Sequence, residues 1–184
     1  MTAKPLVLVD RNGSVKIVLE DAVIRDWTKN DADSIVRHAN DRAVWRNLMD
    51  RFPHPYTRAD AQDWLRYAAE QKPPTNFAIE VEGYAVGGIG FRVGEDVHRR
   101  SAEIGYWLGR EFWGRGIVTG ALKALTEYAF ANSDLCRIQA CVFAWNPASA
   151  RVLEKAGYMF EGRLAKSVTK DGETTDQLIY AVVR

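Results

Sequence analysis

The chain predicts a mixed α/β fold, a mixed sheet flanked by helices, on three observations. Strand-like segments dominate its beginning and its end. A strand, a glycine turn and a helix with one apolar face follow one another from Ala102 to Ala129. A further strand comes directly after that helix, completing a strand–helix–strand unit within the run of strands. With 184 residues, 47% hydrophobic content and six prolines, the chain can bury one substantial core and has little room for two. The expectation is a single domain over 1–184, with residues 1–20 an N-terminal hairpin extension.

Each element has its own signal. Leu6 to Asp10 and Ser14 to Leu19 flank Asn12-Gly13, a hairpin pattern, and precede a core strand from Ala22 to Trp27. Asp31 to Ala43 and Thr57 to Gln71 predict helices, the second opened by Thr57 as cap with Asp60 three positions on. Pro73-Pro74 breaks the chain. Phe77, Ile79 and Val81 alternate with Ala78, Glu80 and Glu82, and Val86 to Val93 is the hairpin partner across Glu82-Gly83. Arg99 to Gly109 is the next strand. Ile117, Ala121, Leu125, Tyr128 and Ala129 recur at helical spacing. Cys136 to Trp145 predicts a strand and Pro147 to Ala156 a short helix. Tyr158 to Lys166 and Thr175 to Arg184 close the fold as a pair joined near Lys170-Asp171-Gly172. No internal repeat or low-complexity segment interrupts this order.

Composition narrows the function. The formal net charge is +1 and the charges are interspersed, whereas a nucleic-acid partner normally leaves a basic stripe or patch. No apolar run approaches the roughly 20 residues that span a bilayer, and the N-terminus lacks the layout of a signal peptide. The expectation is a cytoplasmic protein with neither a nucleic-acid nor a membrane partner. Cys136 and Cys141 are too few for a disulfide framework and have no second pair at metal-site spacing, so they read as reduced thiols packed in a strand and no metal is expected.

The most restrictive segment is Ala102 to Ile117, which runs a strand into Gly114-Arg115-Gly116 and on into a helix. Glycines let the backbone approach an anion, and the helix aims free N–H groups and a positive dipole end at the same point. A dinucleotide site fails on context, because the next strand ends Phe143-Ala144-Trp145-Asn146 with no acidic residue for a ribose. A P-loop fails because no Lys-Ser/Thr pair follows the glycines. What remains is an acyl-CoA.

Four stretches then carry a family resemblance: Phe52-Pro53-His54-Pro55-Tyr56-Thr57, Ala102 to Leu108, Phe112 to Ile117, and Asn146-Pro147-Ala148-Ser149 leading into Val152 to Tyr158. In order and spacing they resemble the GNAT superfamily of acetyl-CoA-dependent N-acetyltransferases, in its RimJ/RimL-like branch. The resemblance implies a mostly antiparallel sheet in which two neighbouring parallel strands splay apart. The pantetheine arm of acetyl-CoA would lie in that gap, pairing with the backbone of Trp107, Leu108 and Gly109. The pyrophosphate would sit on Gly114, Arg115, Gly116 and Ile117, with Thr119 in the same first helical turn. Two departures stand out. Glu111 occupies the position where the general pattern has Gln or Arg, and Leu153 the position where many members carry a Tyr that protonates the leaving thiolate.

Acetyl transfer to an amine requires a neutral nitrogen, a donor for the developing oxyanion and a proton for the thiolate. Glu103 is the candidate base, sharing a strand face with Gly105 and Trp107. A salt bridge to Arg92, Arg99 or Arg100 would explain it equally. Asn146 matches the family Asn that reaches the pantetheine arm or a water near sulfur, and also suits a helix N-cap ahead of Pro147. Ser149 either protonates the thiolate in place of the missing Tyr or bonds helix backbone. Trp45, Phe52, His54 and Tyr56 line the acceptor cleft by family analogy, while Trp107, Trp113 and Trp145 are expected to pack the core or flank the cofactor arm. The expected acceptor is a primary amine, foremost a protein N-terminal α-amine. A small amine such as a polyamine or aminoglycoside, and a non-catalytic acyl-CoA sensor, are the alternatives. Monomer and homodimer are both open.

Overall fold

The computed structural model describes residues 5–10 and 13–184. Among the described residues nine strands form one sheet in the order β1-β2-β3-β4-β5-β6-β7-β9-β8. The first three are β1 (Leu6–Val9), β2 (Val15–Val18) and β3 (Val23–Asp26). They make an antiparallel meander; Asn12, in the expected turn, and residues 1–4 lie outside the described residues. Val15 and Ile17 are buried in the main core, so β2 belongs to the sheet as fully as β3 does.

Three helical segments follow: α1 (Ala32–Ala39), α2 (Arg42–Trp45) and α3 (Arg58–Glu70). The single helix expected over 31–43 is in fact two. Asn40 leaves helical geometry and spends its side-chain oxygen on the Tyr56 N–H, and Asp41 then caps α2 by accepting from the Ala43 N–H. α3 begins as expected, with Thr57 and Asp60 forming a reciprocal capping box.

Strands β4 (Asn76–Val81), β5 (Tyr84–Val93) and β6 (Ser101–Leu108) continue the antiparallel sheet. Helix α4 (Ile117–Ala131) crosses over to β7 (Arg137–Phe143), which runs parallel to β6. α5 (Pro147–Lys155) then leads to the hairpin of β8 (Met159–Lys170) and β9 (Glu173–Val183), with β9 inserted between β7 and β8. The hairpin turn places Asp171 and Gly172 at φ 55° and 76°, the left-handed pair that a tight two-residue turn requires.

The sheet has two unlike faces. Ala102, Ile104 and Leu108 of β6 join Ile138, Ala140 and Val142 of β7 beneath α4 and α5 in the larger core. On the other face Trp107 packs with Ile35, Ala39, Tyr56 and Leu65 of the α1–α3 layer. Strand alternation therefore sends Glu103, Gly105 and Trp107 to the α1–α3 side and Tyr106 to the α4–α5 side.

Candidate active site

β6 and β7 pair over only three positions, Ser101 with Arg137, Ala102 with Ile138 and Glu103 with Gln139. β6 continues to Leu108 and β7 to Phe143, each still bonded to its antiparallel neighbour on the other side. Past Glu103 the two parallel strands therefore diverge. Backbone groups facing such a gap have no strand partner, and an extended amide-bearing arm would satisfy them.

The gap ends in a glycine turn that leads into α4. Gly109 closes β6 with its N–H donated to the Val86 carbonyl at 2.8 Å, and a short 3-10 turn over Arg110–Phe112 follows. Gly114 and Gly116 lie at φ 77° and 80°, and a Cβ built on either would meet nothing within 4 Å. Their requirement is thus conformational, and the space in front of them is open. α4 starts at Ile117 with Gly116 as N-cap, a residue with no side chain to cap the first N–H groups, while Thr119 lies at its third position. Arg115 sits over the Phe112 ring at 5.3 Å and lines a depression of about 440 Å³ with Glu20, Asp21, Val81, Glu82 and Ile117.

Glu111 takes no part in that depression. Its carboxylate lies 3.3 Å from His38 Nδ1 and 3.6 Å from Arg37, both on α1. Burial lowers the His38 pKa, so the ring favours its neutral form, and Phe112 meets its edge at 5.4 Å. The residue that departs from the family pattern therefore faces α1 and not the depression beside Arg115. No sequence signal linked Glu111 to a histidine so far upstream.

Glu103 stands at the vertex, on the last paired position of β6. Its side chain is 34% exposed, and Arg92, directly across the β5–β6 ladder, approaches it only to 3.9 Å while itself 74% exposed. Of the other proposed partners, Arg100 bonds Asp134 and Arg99 donates to the Asp96 carbonyl. Beside Glu103, Gly105 is exposed although it lies mid-sheet, with no atom within 4 Å of where a Cβ would be. Cys141 belongs to the same face of β7. Burial, reinforced by the Glu103 charge, pushes its thiol pKa up.

At the far side of the gap Asn146 caps α5, its side-chain oxygen accepting from the Ser149 N–H at 3.2 Å. The Ser149 hydroxyl does not bond helix backbone. It lies 2.8 Å from the hydroxyl of Tyr106, a residue sequence reasoning passed over although alternation puts it on the face opposite Glu103. Leu153 is fully buried in the core. Trp45 stacks on His54 at 5.4 Å, and Phe52 contacts both Tyr56 and Trp107. Trp107 packs as expected, made possible by Gly88, where any Cβ would meet its indole at 2.7 Å. Trp113 does not pack in the core: it is 46% exposed and donates its indole N–H to the Leu108 carbonyl. Trp145 lies under Arg46 and against Phe143.

The model of the Acetyltransferase (GNAT) domain matches residues 22–159, a span that includes the splay, the glycine turn and α5. The chain is a GNAT acetyltransferase. It is 31% identical over 129 residues to the provisionally named ribosomal N-acetyltransferase YdaF of Bacillus subtilis, covering 70% of this chain and 69% of that one. The ribosomal-protein-serine acetyltransferase of Escherichia coli is 32% identical over 105 residues, 57% of this chain and 58% of its own. Among solved structures, Mycobacterium smegmatis RimJ in complex with CoA-disulfide superposes with a TM-score of 0.76 at 28% identity, covering 88% of this chain and 81% of RimJ. As a GNAT enzyme the protein uses acetyl-CoA as co-substrate, and the divergent strands and open glycine turn fit that molecule's extended arm and its phosphates.

Proposed function

We propose that this GNAT enzyme acetylates protein N-terminal α-amines by direct attack, with Glu103 as the base. The observation that carries the proposal is the open well at Gly105, which gives a carboxylate at the vertex of the splay access to an incoming nitrogen. The ion pair of Glu103 with Arg92, long and with a solvated arginine, is of the kind that contributes little to stability, so a purely structural role explains the residue poorly.

Bound acetyl-CoA supplies the acetyl group as a thioester. The backbone edge at Trp107, Leu108 and Gly109 would hold its arm. Gly114, Arg115, Gly116, Ile117 and Thr119 would hold its phosphates, and Asn146 and Ser149 flank the gap from α5. Glu103 accepts a proton from the amine as the nitrogen bonds to carbon. An α-amine, with a reference pKa of about 7.7–8.0, is already substantially neutral near pH 7.5 and needs only a modest base, whereas a lysine amine at about 10.4 needs much more. The aromatic pairs Trp45–His54 and Phe52–Trp107 suit a peptide end better than a polycation, which would be helped by a strongly acidic pocket. The names of YdaF and of the Escherichia coli relative point to ribosomal proteins as the source of that N-terminus.

The test is a peptide carrying both a free α-amine and an internal lysine, incubated with acetyl-CoA and mapped by tandem mass spectrometry, alongside spermidine and an aminoglycoside. Acetyl on the α-amine is the expected product. Acetyl confined to lysine, or to a small amine, would reject the proposed acceptor.

A further inference from the structure

The position from which many GNAT enzymes donate a proton is here Leu153, fully buried and without a donor. A hydroxyl pair nevertheless spans the splay. Tyr106 is carried by β6 beyond its last pairing with β7, and Ser149 lies in the first turn of α5, just after β7 ends. Their hydroxyl oxygens are 2.8 Å apart. The Ser149 N–H is already committed to Asn146, which fixes the backbone that presents this hydroxyl. Ser149 alone is a poor acid for a thiolate, because an isolated alkoxide is far too basic to be left behind. The Tyr106 phenol, even when burial pushes it up to about 12, is a stronger acid than an alcohol and so the better final source of the proton.

We propose that Tyr106 supplies, through Ser149, the proton taken up by the sulfur that leaves. The proposal rests on the reading that the cofactor arm occupies the β6–β7 gap. In the transfer one C–N bond forms and one C–S bond breaks, the amine gives up one proton and sulfur gains one. Ser149 Oγ passes its proton to sulfur while the Tyr106 proton moves onto Oγ. The resulting phenolate recovers from solvent the equivalent of the proton released on the Glu103 side, so the protein ends the cycle unchanged. Burial, only partly offset by the Ser149 contact, pushes the Tyr106 pKa up to about 12, so the phenol stays protonated at every working pH. Tyr106 is thus a residue acting through another, and Ser149 is the group that meets the substrate.

The test compares the affinities of CoA and of desulfo-CoA, which lacks the sulfur, by calorimetry on wild type, Tyr106→Phe, Ser149→Ala and the double variant. Wild type should prefer CoA by roughly tenfold, the worth of a hydrogen bond to a charged or polarisable group. Each single variant should lose that preference, the double variant should lose no more, and desulfo-CoA affinity should hold throughout. With an acceptor peptide, Tyr106→Phe should lower kcat by about 100-fold at unchanged KM for acetyl-CoA. A Tyr106→Phe protein that keeps the preference, or that loses both ligands equally with a lower Tm, would overturn the proposal. Should Tyr106→Phe fail to fold, Ser149→Ala carries the same comparison. If wild type binds neither ligand, the gap is not the cofactor's seat and the proposal falls with that reading.

Discussion

Two glycines a few residues apart serve different physical needs. Gly109 has an ordinary φ near −55°, but a Cβ there would meet His38 atoms at 2.9 to 3.1 Å, so its requirement is space. Gly114 has open space around it and φ 77°, so its requirement is conformation. Gly109→Ala should therefore push His38 and the turn apart and cost about 1–3 kcal/mol, read by urea denaturation; unchanged stability would mean that His38 is not wedged there. Gly114→Val should leave the fold intact but hold a β-branched residue at a cost of about 1–3 kcal/mol in the left-handed region, or else open the turn. Acetyl-CoA binding should then weaken on the order of tenfold or more, and normal affinity would contradict the role given to the turn. The glycines were legible in the sequence because positive φ and tight turns leave a compositional mark. Glu111 was legible only as an oddity, since its partners Arg37 and His38 come from a helix that the fold alone brings near.

Elements were read best where the signal was local. The capping box of α3 is such a case, satisfied by Thr57 and Asp60 as their spacing implies. Thr57→Ala should cost about 1 kcal/mol and lower Tm by about 2–4 °C; a calorimetric scan with no shift would show that the cap is not used. The break between α1 and α2 was missed because Asn40 and Asp41 act on opposite sides of it, one released to bond Tyr56 and the other capping the next turn. Asn-Asp inside an apolar periodicity is a weak signal until the loop that returns to it is known. The contact of Tyr106 with Ser149 joins residues 43 apart, and it depends on how far two strands diverge. Alternation assigns the face of Tyr106, and no local pattern supplies its partner.

At the scale of the molecule, the layer of α1–α3 that covers the Glu103 face is anchored to the sheet by a buried charge cluster. Arg25 of β3 donates two hydrogen bonds of 2.8 Å to Asp31, ahead of α1, and also pairs with Glu80 of β4. Burial alone would raise the Asp31 carboxyl, but the hydrogen bonds from Arg25 and the Thr28 N–H prevail and hold it below the usual carboxylate range. A depressed native pKa contributes stability that is full above the unfolded value, about 3.9, and is lost as pH falls through the native one. Arg25→Met should cost about 3 kcal/mol at pH 7, because it leaves a buried carboxylate unpaired, and the variant should lose less of its remaining stability than wild type as pH falls below about 4. Parallel denaturation curves for the two proteins across that range would contradict the anchor. The order of elements along the chain and the glycine turn followed from periodicity and turn chemistry. The well at Gly105 did not, because it depends on which neighbours fail to cover a glycine, and that is a property of the assembled layers.

The most direct measurement is kcat/KM of Glu103→Gln on an N-terminal peptide across pH 6–9, taken together with its acetyl-CoA affinity. If the vertex of the splay is the reaction centre, kcat/KM falls by about 100-fold while acetyl-CoA binds as tightly as to wild type. Turnover equal to wild type at every pH would remove Glu103 as the base and with it the proposed reaction centre.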